Sequence, residues 1–292
     1  MSRSRAPYLL VGPALTALTV FFVLPVVAAF VLSFTDFDIY GVADLGNVRF
    51  VGLSNYSRLL QEPLFGKALA NTALFVFVGA PLSLAASLGA ALLLHARVAR
   101  WQAVFRTALF APVVTTVVAV AVIWRYVLHT RYGFLNYALG VLGIEPVDWL
   151  GDPRWAMPAI ILFAVWKNFG TNMVILLAGL QAIPEDQYEA ARLDGAGALA
   201  QFRHITLPAL APTLLMVTLM TMVGYFQLFA EPYVMTRGGP VQSTTSILYF
   251  MFEEGFKWWN LGFASAVAFV LFAILAAGAA LQLALARRWS QP

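Results

Sequence analysis

From Ala6 to Thr35 the chain carries no charged side chain, and runs of the same kind recur along its length. About 20 apolar residues are what a helix needs to cross the hydrocarbon of a bilayer, and there every backbone polar group must be satisfied within the protein. The first run is also longer than the roughly 7 to 15 apolar residues of a secretory signal, so it reads as a retained span over 9–33. Five further spans are expected over 68–94, 107–128, 156–180, 210–229 and 261–285. The expected class is therefore an all-α membrane protein of six transmembrane helices. Pro13 and Pro25 are expected to kink the first of them.

Composition agrees with this. Hydrophobic residues make up 61% of the 292, charged residues only 11%, and mean hydropathy is +0.80. Two regions are expected: 1–67, holding the first span and first outer loop, and 68–292, a five-helix core. Net charge is +4, but in a membrane protein the placement of Lys and Arg carries more information than their sum, and nothing points to nucleic acid. Arg3, Arg5, Arg97, Arg100, Arg106, Arg192, Arg203, Arg287 and Arg288 fall on one side of the six-span topology. Asp36, Asp38, Asp44, Glu62, Glu145, Asp148, Asp152, Glu231, Glu253 and Glu254 fall on the other. The basic side is expected to be cytoplasmic, with both termini on it.

Polar residues inside apolar runs are the candidates for function. Lys167 interrupts the fourth span beside Trp166, Asn168 and Asn172, and an intramembrane charge implies a water-filled cavity or a partner, unless the chain snorkels to the interface. Gly224-Tyr225-Phe226-Gln227 sets hydrogen-bonding groups beside aromatic rings, a mixture that suits a polyhydroxylated ligand and equally suits helix packing. The expected pathway residues are Trp166, Asn168, Tyr225 and Gln227, with Lys167 in second place. Glu231-Pro232 is read as the end of the fifth span, with Glu231 an interfacial cap.

Catalytic sets are missing from the sequence. There is no cysteine, and His95, His129 and His204 are far apart without metal-ligand spacing, so no metal is expected. No glycine loop with its lysine cradles a phosphate, so nucleotide hydrolysis would fall to another polypeptide. An ion-coupled transporter would need carboxylates at mid-depth, and a membrane-embedded enzyme a convergent set of acid, base or metal ligands.

Between the fourth and fifth runs lies a charged stub, Glu189-Ala190-Ala191-Arg192-Leu193-Asp194-Gly195-Ala196-Gly197, followed by Ile205-Thr206-Leu207-Pro208. Pro184 is expected at its first helical position, Glu185 and Asp186 at the positive end of its dipole, and Gly195 and Gly197 at its exit. Glu189-Ala190-Ala191 with Gly195 and the later Ile-x-Leu-Pro is similar to the EAA loop of binding-protein-dependent ABC importer permeases. Ala182-Ile183-Pro184, Asp194 to Gly197 and Thr236-x-Gly238-Gly239-Pro240 narrow the resemblance to the carbohydrate-importer branch. The subunit type is that of the larger maltose-importer membrane subunit and its glycerol-3-phosphate relative, without the extra N-terminal spans and outward domain of the maltose subunit.

That resemblance implies a type I importer permease fold in a bacterial or archaeal cytoplasmic membrane. It makes 182–208 a cytoplasmic coupling loop that docks on an ATPase through Glu189, Ala190, Ala191, Arg192, Asp194 and Gly195. It implies a second permease subunit of similar fold, two ATPase subunits that use ATP and Mg, and an extracytoplasmic solute-binding protein. Arg237, Gly238, Gly239 and Pro240 would help dock that protein. The cargo would be a sugar, or alternatively glycerol-3-phosphate or another polyol.

Overall fold

The computed structural model describes residues 6–96 and 101–289. Arg3, Arg5, Arg97 and Arg100 lie outside the described residues, as do the side chains of Arg287 and Arg288. The helices that matter here are α1 (6–32), α2 (Pro63–His95), α3 (Gln102–Val114), α4 (Val117–Val127), α5 (Phe134–Val141), α6 (Pro153–Gln181), α7 (Glu185–Leu193), α8 (Leu207–Phe226), α9 (Ala230–Met235) and α10 (Leu261–Trp289).

Among the described residues five helical stretches are long and apolar enough to cross a membrane, and α3 with α4 makes a sixth if the pair counts as one span. That pair corrects the expectation of a simple third span, because α4 leaves α3 at 102°. Thr115 and Thr116 at the break are extended (ψ 152 and 136), and both the N–H and the hydroxyl of Thr115 turn back to the Pro112 carbonyl.

Three other prolines are accommodated by a local widening of the helix. A proline ring collides with the carbonyl four residues back. Pro25, Pro81 and Pro208 each follow a single wide π turn, over Thr19–Val23, Phe75–Gly79 and Phe202–Thr206. The widened turn moves the offending carbonyl aside. The helical stretch of α1 runs through Pro25 without a break.

The chain divides into two compact units, Met1–Gly66 with Phe250–Ile274, and Lys67–Tyr249 with Leu275–Pro292. In the first, the loop after α1 is ordered by its polar residues. Asp38 caps Ile39–Ala43 by accepting from the N–H groups of Tyr40 and Gly41, and buried Asn55 donates to the carbonyls of Ser33 and Thr35. The start of α10 passes so close that a Cβ on Gly262 would lie 2.2 Å from the Thr35 carbonyl oxygen, and Arg58 covers the Phe263 ring at 4.4 Å.

In the second unit α6 is the central helix, with half of its most apolar window buried. It lies against α2, where the Ser87 hydroxyl donates to the Phe169 carbonyl, and against α8, where buried Asn172 donates to the Thr221 hydroxyl at 2.8 Å. Asn172 is thus a packing residue; such bonds between helices contribute about 0.6 to 2 kcal/mol. Gly170 lets α3 come to backbone contact, and a Cβ there would sit 2.7 Å from the Leu109 carbonyl oxygen.

Candidate functional site

Three sites follow from the sequence: the α7 stub, the polar residues of α6 and α8, and the turn at Arg237. The stub is a nine-residue helix with no buried residue. Pro184 is its N-cap, not its first helical residue, because its extended ψ of 133° keeps it outside the helix. Glu185 and Asp186 occupy the first turn as expected. At the other end Gly195 takes φ +79, which glycine adopts without cost; its N–H donates to the Arg192 carbonyl, and that of Ala196 to Ala191. This 6→1 and 5→2 pair closes the helix sharply. Gly197 has an ordinary φ of −71, so the exit depends on Gly195 alone.

Arg192 lies 3.9 Å from Glu185 and 4.0 Å from Glu189, and all three are at least half exposed. Exposed pairs of this kind contribute about 0 to 1 kcal/mol, so Glu189 remains available to another cation. Ala190 and Asp194 are exposed and Ala191 half-buried. Leu193 is 90% exposed and Leu199 79% exposed, so the stub also offers apolar surface. Sequence reasoning missed Tyr188, whose hydroxyl meets that of Thr206 at 2.9 Å and ties the stub to the turn that leads into α8. Helical spacing could have flagged it, since Tyr188 falls four residues before Arg192 and one before Glu189.

Trp166, Lys167 and Asn168 are consecutive on α6 and so point to different sides. Trp166 is partly exposed and meets Trp124 at 5.3 Å; Asn168 is exposed; Lys167 is buried and donates to the Val113 carbonyl at 3.3 Å. Tyr225 is buried against Phe75 with ring centroids 4.9 Å apart, and Gly79 opposite gives it room, since a Cβ there would be 2.8 Å from the ring. Its hydroxyl is enclosed without a hydrogen-bond partner, as is that of Ser83. Ser83 and Asn168 are its hydrogen-bonding neighbours, without reaching good hydrogen-bond geometry, and Glu231 acts on it electrostatically. Gln227, just past the end of α8, is exposed.

Glu231 does not end the fifth span. The helix breaks over 227–229 and resumes as α9, with Phe229 as N-cap and Glu231 in the first turn. Glu231 acts electrostatically on Lys167, an influence that the sequence did not suggest.

The turn at Arg237 is built tightly. Arg237 and Gly238 have φ of 53 and 79, and the Gly239-Pro240 peptide is cis. The Thr244 N–H donates to the Gly238 carbonyl, its hydroxyl donates to the Gly239 carbonyl, and the hydroxyls of Thr236 and Thr244 meet at 2.7 Å. From α2, Lys67 donates to the Val241 carbonyl, and the Asn71 amide donates to the carbonyls of Gln242 and Thr245, both at 2.9 Å. Beside this turn lies a cavity of about 380 Å³ lined by Lys67, Asn71, Arg154 and Ser243 with apolar neighbours. At the adjoining end of α6, hydrogen bonding to Arg154 holds the Asp152 carboxyl below its usual range.

Residues 87–291, which include the charged stub between α6 and α8, fit the family described as "Binding-protein-dependent transport system inner membrane component". The chain belongs to that family. The permease is 36% identical to the trehalose/maltose transport system permease protein MalF of Thermococcus litoralis, over 93% of this chain and 90% of that one. To the arabinooligosaccharides transport system permease protein AraP of Bacillus subtilis it is 32% identical, over 94% and 86%. The fold matches a chain from the crystal structure of a bacterial ABC transporter that imports alginate, with a TM-score of 0.82 and 20% identity over 98% and 96% of the two chains. The resemblance read from the EAA segment is borne out, as is an all-helical, multi-pass protein of the inner membrane. The family is one of transport components, not of enzymes.

Proposed function

We propose that this permease is one membrane subunit of an ATP-driven importer and forms half of a path through which a sugar, a di- or oligosaccharide, crosses by alternating access. The observation that carries this reading is the build of α7. It is a short, exposed helix with a closed end, joined to α6 through residues 182–184 and to α8 through the Tyr188–Thr206 contact. A push on such an element moves two spans together. Glu189 would pair with a cation of an ATPase, the alanines would admit its surface, and Leu193 would add apolar contact. ATP and Mg would be used by two such ATPases, and a second permease subunit of similar fold would supply the other half of the path. The stub and both termini would face the cytoplasm.

The sugar assignment draws on the names of the relatives and on the residues of α6 and α8. Tyr225, with its unpartnered hydroxyl, would act with Trp166, Asn168 and Gln227 on the path, aromatic faces stacking on the sugar and polar groups meeting its hydroxyls. The ammonium of Lys167 is engaged by the Val113 carbonyl, which favours a neutral sugar over glycerol-3-phosphate. Arg237 to Pro240, held firmly from behind, would form part of the surface for a sugar-loaded binding protein. One alginate transporter structure includes such a periplasmic protein in complex.

The test is Glu189→Ala in the assembled transporter. Sugar uptake should fall to background while the permease remains inserted at its normal level. Normal uptake at normal abundance would remove α7 from the coupling role.

A further inference from the structure

The break between α3 and α4 leaves a helix end inside the span region. A helix ends with carbonyls that have no N–H partner of their own and carry partial negative charge. The partner of the Val113 carbonyl in a continuous helix would be the N–H of Val117, which lies beyond the break. The ammonium of Lys167 reaches that carbonyl from α6 at 3.3 Å. One turn along α6, Gly170 meets the Leu109 carbonyl and the Phe110 Cα, so Lys167 and Gly170 seat the same last turn of α3. Lys167 is 8% exposed, and Glu231 in the first turn of α9 acts on it electrostatically.

What this seat controls is the direction of α4. Val120 and Ala121 of α4 are buried in one cluster with Tyr225, Leu228 and Met235, and α4 packs against α9. The two helix breaks, at Thr115-Thr116 and at 227–229, thus lead into short segments that lie on each other beside Tyr225.

We propose that Lys167 is a positioning residue: its ammonium caps the carbonyl end of α3, fixes the angle at which α4 departs, and so holds the wall that α4 and α9 form next to the transport path. The proposal rests on the permease reading above, but it gives Lys167 a task other than holding sugar. A cation is suited to it because no neutral side chain satisfies a lone carbonyl and a helix-end dipole together.

The permease has no cysteine, so two can be placed without background. Phe105→Cys on α3 and Ile123→Cys on α4 are at surface positions, 55% and 59% exposed, on either side of the bend. Spin labels there report the angle by pulsed dipolar spectroscopy. The measurement uses the complete transporter in lipid vesicles, without sugar, the other subunits being cysteine-free. In Lys167→Met the distance distribution should widen about twofold and uptake should fall about tenfold, a loss in keeping with a lost helix-end charge, while Lys167→Arg keeps both near normal. If Lys167→Met is not recovered in membranes, Lys167→Gln is read the same way. An unchanged width in the variant would overturn the proposal. If uptake were nonetheless lost, Lys167 would return to the sugar path and the permease reading would stand. A widened distribution with undiminished uptake would overturn it too.

Discussion

Tyr225 shows what single residues contribute. Its ring is fixed by Phe75 and by the bare backbone of Gly79, while its hydroxyl is enclosed without a partner. A buried hydroxyl left unpaired costs about 1 to 3 kcal/mol, so retaining one is informative when a sugar hydroxyl could complete it. Tyr225→Phe should leave abundance unchanged and raise the apparent KM for uptake by about threefold to tenfold, the size of one neutral hydrogen bond. Uptake kinetics in membrane vesicles check this, and an unchanged KM would take the hydroxyl out of the site. The sequence made Tyr225 legible through its setting among apolar residues. Lys167 was legible as a buried charge, but its acceptor was not, because a backbone carbonyl has no signature in a side-chain pattern.

Among the elements, the Arg237 turn lends itself to a direct test. Gly238 has φ +79, and a Cβ there would lie 2.7 Å from the Thr245 hydroxyl and 2.8 Å from the Tyr249 ring. A left-handed backbone costs an ordinary L-residue about 1 to 2 kcal/mol before any clash is counted. Gly238→Ala should therefore distort the turn and reduce binding-protein-stimulated ATP hydrolysis by the complex at least several-fold, with ATP hydrolysis in the absence of binding protein preserved. Equal stimulation in variant and parent would separate the turn from docking. The glycines of this turn were readable in advance, whereas the break at Thr115-Thr116 was not. The apolar run passes through it without a charge, and two threonines are tolerated inside a helix by bonding back to its carbonyls. Only the close seat on Gly170 and Lys167 distinguishes this end. The π turns ahead of Pro25, Pro81 and Pro208 were likewise hidden, since a proline marks a disturbance without saying how it is absorbed.

For the whole molecule, the long apolar runs gave the order of helices almost at once, and the stub between α6 and α8 gave the family. The orientation proposed from the arginines can be measured separately. With no native cysteine, Ala190→Cys should be modified by a membrane-impermeant maleimide only from the cytoplasmic side, and Val241→Cys, 75% exposed in the parent, only from outside. The reverse pattern would invert the topology and remove α7 from the proposed coupling role.

The Arg237 turn is moored on two sides. Lys67 and Asn71 hold it to α2, Thr72 accepts the N–H of Ile247, and Ser246 donates to the Leu228 carbonyl at the end of α8. If a binding protein docks on Arg237 as proposed, its load would be shared at once between two uprights of the frame, so that a touch there would be felt as a movement of whole beams and not as the yielding of a loop.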